Sequence, residues 1–144
     1  MSTSAGIGIT QADGSVKAIR VNWDGYPGWT GAVLGGWYNT PERVEALLSL
    51  GDLSIIGERL VPDPEKEHSK PHPQDNVVLA YHRDCGEEFR PPMVFADRKE
   101  YEQNGKARLA ADYLYLFEEG KWSVKGIHNT TGWIELTVEF CEQN

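Results

Sequence analysis

Apolar positions along the chain fall into short runs whose spacing changes from strand-like to helical and back. Ile7 and Ile9, then Val16, Ala18, Ile19 and Val21, alternate at close to period two on either side of Asp13-Gly14. Asp-Gly is a strong hairpin signal, so strands are predicted near 5–11 and 16–23. The stretch Trp23-Asp24-Gly25-Tyr26-Pro27-Gly28-Trp29 then has the composition of a turn yet carries three large aromatics. Val33, Leu34 and Trp37 take helical spacing, although Gly31, Gly35 and Gly36 each weaken a helix by about 1 kcal/mol relative to Ala. Packing must therefore support any helix there. The next helix is better marked. Thr40 is placed as N-cap, Pro41 as first residue, Val44, Leu47 and Leu48 as one apolar stripe, and Gly51 as the left-handed end. A further helical turn is expected from Asp52 or Ser54, using Ile55, Ile56 and Leu60.

Residues 61–75 hold four of the eight prolines and little to bury, which predicts a loop or mobile linker. A strand is expected over Val77 to His82, followed by a polar turn. Residues 90–107 are charged and irregular, with at most a turn of helix from Arg98 to Gln103. Ala110–Phe117 and Trp122–Ile127 flank the four-residue loop Glu118-Glu119-Gly120-Lys121 and predict a hairpin. Trp133 to Phe140 alternates as a half-buried strand, with Glu135 and Glu139 suited to a sheet edge. The sum is one α+β domain spanning 1–144: an antiparallel sheet, two or three short helices and two long polar loops.

Composition narrows the classes. A chain of 144 residues buries roughly 68–70% of its unfolded surface, enough for a core. Apolar residues at 40% and charged residues at 25% suit a soluble globular protein. No apolar run nears the roughly 18 residues of a membrane span, and MSTSAGIGITQADG lacks the basic and apolar regions of a signal peptide. Two cysteines make no disulfide framework, so a cytoplasmic protein is expected. The net charge of −8 argues against a duplex-binding module, which needs a basic stripe to displace counterions. Residues 1–60 carry six acids against four bases and residues 61–144 sixteen against ten, so the excess lies in the second part.

No strong catalytic motif is present: no phosphate-binding P-loop, no HExxH, no paired CxxC. Gly6-Ile7-Gly8 is only a GxG beside a strand. His68 and His72 stand four apart, but Pro71 and Pro73 forbid the helix that would make them zinc ligands. Solvated loop histidines are expected there, with no metal and no cofactor. His82, Asp84 and Cys85 suggest a thiol nucleophile, which alternation on a strand would keep apart. Asp84, Glu87 and Glu88 read as a solvated acidic turn or, in a cleft, an acid/base pair. The Trp23–Trp29 corner is either a packed turn or a recognition surface. Asn129-Thr130-Thr131 has the glycosylation pattern, which has meaning only after secretion.

The blocks GIGIT…DGSVKAIRVNWDGYP, Trp37-Tyr38-Asn39-Thr40, RVEALLSLGDLSIIGE, AYHRDCGEE and YLYLFEEGKW together resemble a family of small uncharacterised proteins of bacteriophages, prophages and plasmids. The resemblance is strongest over residues 5–57 and implies a phage or mobile-element accessory protein in the bacterial cytoplasm. It carries no established activity, and relatives often have another residue where Cys85 stands. Two functions follow as expectations. The first is a non-enzymatic counter-defence inhibitor, anti-CRISPR-like, whose acidic surface occupies the basic nucleic-acid-binding groove of a host defence protein. Asp84, Glu87, Glu88, Glu118 and Glu119 would make the contacts, with Trp23, Asp24 and Tyr26 as anchors. The second is a sponge that sequesters a nucleotide signal of host immunity, using Arg20, Arg43, Arg83 and Arg90 with Trp23 and Tyr81, at a homo-oligomer interface if one forms.

Overall fold

The computed structural model describes residues 2–126 and 132–144. Its hairpins lie where the alternating runs place them. β1 (Ala5–Thr10) and β2 (Val16–Val21) pair antiparallel around the Asp13-Gly14 turn, and β6 (Tyr113–Glu118) pairs with β7 (Lys121–Lys125) around Glu119-Gly120. The two hairpins join through a parallel pairing of β1 with β6, Ile7 opposite Tyr115. β3 (Leu53–Ile55) also runs parallel to β2, so the sheet is mixed and not purely antiparallel. The strand order is β4-β3-β2-β1-β6-β7-β8, with β4 at Leu79–Ala80 and β8 at Ile134–Glu135. β5 (Met93–Phe95) pairs with β2 off that path. The whole is an α+β fold on one continuous sheet.

Helices cover both faces. A π-helical turn, Pro27–Gly31, runs into α1 (Ala32–Trp37), and α2 (Pro41–Leu48) follows. As predicted, the Thr40 side chain accepts from the Arg43 N–H and Pro41 opens α2. Leu34, Val44, Leu47 and Leu48 bury against Ile7, Ile19, Val21 and Tyr115. On the opposite face α4 (Arg98–Leu109) lays Tyr101 and Leu109 on Val16, Ala18, Leu114 and Leu116. This close approach explains Gly6 and Gly8. A Cβ on Gly8 would sit 3.1 Å from the Tyr101 ring, and one on Gly6 2.8 Å from Leu109. The GxG therefore serves helix–sheet packing from mid-strand.

Four local expectations are corrected. Residues 53–55 form β3 and not a helical turn, because Leu53 completes the sheet beside Val21. The strand begun at Val77 is confined to Leu79–Ala80, and Tyr81–Cys85 coils into α3. The 90–107 stretch is ordered as β5 and the twelve-residue α4, capped by Asp97 on the Glu100 N–H; the described residues hold five α-helices in place of two or three. Trp133–Phe140 divides into β8 and α5 (Val138–Gln143), with Thr137 capping the Phe140 N–H. Alternation cannot distinguish a strand from a short capped helix when the apolar run is this brief. Ile127 and the Asn129-Thr130-Thr131 sequon lie outside the described residues. Among the described residues no helix is long and apolar enough to cross a membrane.

Three buried tyrosines tie the layers together through their hydroxyls. Tyr38 donates to the Gly57 carbonyl (2.7 Å), Tyr101 to Tyr115 (2.9 Å) and Tyr115 to Gly25 (2.7 Å). Burial raises all three above their ordinary value; Tyr38 reaches about 12, its rise opposed by the adjacent Arg43. An unfolded tyrosine ionises near 10. The resulting stabilisation is complete below about pH 10 and is lost as pH rises through the folded value, at roughly 1.4 kcal/mol per unit for each ring. Chemical denaturation should therefore show stability falling steeply between pH 10 and 12, with tyrosinate absorbance of the buried rings appearing only as the fold is lost. Ionisation of all six tyrosines near pH 10 in a folded chain would contradict this.

Candidate functional site

The site arises where the sheet forks. β5 pairs with β2 from Val16 to Ala18, and β3 meets β2 only at Val21. Arg20 lies between them, and its N–H donates to Asp52 Oδ1 (3.1 Å) in place of a ladder carbonyl. A cleft of about 280 Å³ opens over this gap. Its floor is half-buried: Arg20, Asn22, Asp52 and Tyr81. Its exposed rim is His82, Glu87, Glu88 and Arg90. A second hollow of about 380 Å³ shares Arg20, Asp52 and Arg90, and continues along Pro91, Met93 and Leu109 to Arg108.

The rim is set by a closed turn. α3 ends at Gly86 in the left-handed region (φ 71°), which returns the chain so that the Glu87 N–H donates to the Tyr81 carbonyl (3.0 Å). The Glu87 carbonyl lies 2.8 Å from His82 Nδ1, and the His82 ring meets Phe89 edge-on at 5.3 Å. Tyr81 is anchored to the floor, its N–H donating to the Asp52 carbonyl (3.2 Å).

Beneath α3 a buried polar cluster fixes its position. The Asp84 side chain, 4% exposed, accepts from the Ala80 N–H (2.8 Å) and twice from Arg83 (2.8 and 2.9 Å). Arg83 also donates to the carbonyls of Leu60 and Val78. His68, 3% exposed, stands with Nε2 2.8 Å from the Val78 carbonyl and 3.5 Å from Asp84. The Gln74 N–H donates to His68 Nδ1, which assigns the ring proton to Nε2. Gln74 closes the loop further by bonding Asp63 through both its amide atoms. The Pro-rich 61–75 segment is thus pinned to the body, and His68 is not the solvated histidine its surroundings in sequence suggest.

The candidate residues separate accordingly. Arg20, Tyr81 and Arg90 come together in the cleft, alongside Glu87 and Glu88, with the Arg20 guanidinium donating to Asn22 Oδ1 (2.8 Å) and to the Ala110 carbonyl (3.4 Å). Arg43 and Arg83 do not. Arg43 bonds the carbonyls of Trp37 and Glu58 and lies over the Tyr38 ring at 4.7 Å, so like Arg83 it holds backbone. Asp84 is buried and engaged, which removes it from any contact surface. Glu118 accepts from Thr10 and Arg98 at the far end of the sheet, with Glu119 exposed beside it. That end of β2, Val16, is four residues or about 13 Å from Arg20 at ~3.3 Å per residue. The acidic candidates therefore do not form one face. At the Trp23–Trp29 corner the backbone is packed while two rings face out. A Cβ on Gly25 would meet Ser4 and Ala5 at 2.7–2.9 Å, and the Asp24 carbonyl accepts from Thr30, whereas Trp23 is 48% and Tyr26 37% exposed.

Sequence reasoning missed Asn22 and Asp52. No local pattern marks them, because their role depends on β3 arriving beside β2. Cys85 is held above its ordinary value by burial and then by the charges of Asp84 and Glu87, so its thiol is a poor nucleophile at neutral pH. Among the described residues no three His, Cys, Asp or Glu side chains gather as a metal site. Arg90, Glu87 and Glu88 make no side-chain hydrogen bond or ion pair among the described residues, whereas the residues beneath them are densely bonded. Such a cleft can grip a ligand that is anionic at one point and donates hydrogen bonds at another. No protein-family model, curated protein or solved structure matches the chain.

Asp84→Asn should cost about 1–3 kcal/mol, since the buried Asp84 carboxylate loses its charge-assisted hydrogen bonds with Arg83. Hydrogen exchange should quicken at the amides of residues 80–87 and leave β1 and β6 unchanged. Unaltered stability and exchange would contradict the positioning role given to Asp84.

Proposed function

We propose that the chain is a counter-defence accessory protein of a phage or mobile element that acts by binding, and that its cleft takes a phosphate-bearing nucleotide signal. The observation that carries this reading is the convergence of Arg20, about sixty residues away in sequence, with Tyr81 and Arg90 on one cleft with unengaged charged groups at its rim. A guanidinium offers fixed, paired donors for phosphate, and an aromatic ring offers a face for a base. The half-buried floor supports recognition because water competes less there for each polar contact. The phage setting rests on the resemblance of the blocks within residues 5–57.

The acidic-inhibitor reading keeps support from one observation. Trp23 and Tyr26 are exposed on a rigid corner, the arrangement of aromatic anchors in protein interfaces. Its acidic contacts reduce to Glu87 and Glu88 at the cleft and Glu119 at the opposite end.

Calorimetry against a panel of cyclic mono-, di- and trinucleotides at low salt tests the proposal. At least one should bind, with affinity falling as salt rises. Arg20→Ala and Arg90→Ala should each weaken it by about tenfold or more, the scale of a lost charge-assisted contact. No binding by any member, or binding unaffected by both substitutions, would overturn the reading. A host-lysate pull-down lost on Trp23→Ala with Tyr26→Ala would then favour the inhibitor.

A further inference from the structure

Resting on the nucleotide reading, we infer that the ligand is a dinucleotide with guanine in the first hollow and its phosphate bridge at the Arg20–Arg90 wall. Two features carry this. The first is the shape of the space. The two hollows, about 280 and 380 Å³, share Arg20, Asp52 and Arg90 as a common wall. Each alone is near the lower limit of ligand pockets, at ~300 Å³, whereas a ligand crossing the wall uses both. A molecule so placed has two base-bearing parts joined by an anionic link, with the link where the cationic groups are.

The second feature is the chemistry of the seats. In the first hollow the carboxylates of Glu87 and Glu88 stand beside Tyr81 without a hydrogen-bond partner among the described residues. An ionised carboxylate only accepts. Guanine presents two adjacent donors, N1–H and the N2 amine, which match the two oxygens of one carboxylate. Adenine presents one donor next to the N1 lone pair, which faces a carboxylate oxygen repulsively. The same groups thus oppose phosphate at the rim and select the base, while Arg20 and Arg90 fix the phosphate at the wall. Beyond the shared wall the second hollow offers Pro91, Met93 and Leu109 for apolar contact with a base, and its one further charged group, Arg108, is paired with Glu100, so this seat carries no free acceptor matched to guanine.

The experiment is calorimetry of the full chain with cyclic di-GMP, cyclic di-AMP and GMP, repeated with the Glu87→Gln, Glu88→Gln double variant. Cyclic di-GMP should bind at least about tenfold more tightly than cyclic di-AMP, as a bidentate pair discriminates between bases, and at least about tenfold more tightly than GMP. The double variant, whose exposed side chains leave the fold intact, should lose most of the preference for guanine. Equal affinity for the two cyclic dinucleotides, or a preference for adenine, overturns the base assignment. GMP binding as tightly as cyclic di-GMP overturns the two-hollow assignment. If none of the three binds while another nucleotide does, this inference fails and the nucleotide reading stands; if no nucleotide binds, both fail.

Discussion

The outer edge of β2 cannot be paired along its whole length by one strand, and the cleft follows from that constraint. β5 occupies one half of the edge, β3 reaches only its end, and Arg20 is left between them. An unpaired edge amide buried beside a core is costly unless something accepts from it. Asp52 does so, with its side chain bonding Arg20 and its carbonyl bonding Tyr81. A single residue thus closes the gap in the ladder and carries the next element into place. The gap stays open to solvent above that level, which is why charged groups line it.

The division between engaged and unengaged charges organises the molecule around this gap. Arg43 and Arg83 are used up on backbone carbonyls, and Asp84 on Arg83 and Ala80. The Arg83 and Asp84 bonds hold the short helix after β4 to Leu60, Val78 and Ala80, and His68 and Gln74 hold the Pro-rich segment. Of the rim's own side chains only His82 takes part, at the Glu87 carbonyl and the Phe89 ring, among the described residues. On the other faces the same logic is carried by tyrosine hydroxyls, each donating to a carbonyl from another part of the chain. A buried donor with a defined partner fixes one arrangement of layers, which plain apolar burial does not.

Much of this was legible in the sequence, and the limits have physical causes. Both hairpins, the capped α2 and the α+β class follow from period, turn residues and capping, which are local. The parallel pairing of β1 with β6 is not, since the two strands are more than 100 residues apart and carry no mark of direction. Short runs at 53–60, 77–85 and 133–143 fit either a strand or a helix, and tertiary pairing decides each. Arg20, Tyr81 and Arg90 were recognisable by residue type alone, but so were Arg43 and Arg83. Only the fold separates the two sets: Arg20 bonds Asn22 and the Ala110 carbonyl yet still lines the cleft, whereas Arg43 and Arg83 do not. His68 shows the reverse error, because a proline-rich polar segment gives no sign that one of its side chains is buried under a carboxylate.

If the cleft at the fork is the binding centre, as proposed, a backbone amide NMR titration with inorganic pyrophosphate is the most direct test of it. Progressive shifts confined to Arg20, Asn22, Asp52, Tyr81 and residues 87–90, and reversed by salt, are the predicted result. Shifts centred on the Trp23–Trp29 corner or the Glu118–Glu119 end, with the cleft amides unmoved, would contradict it.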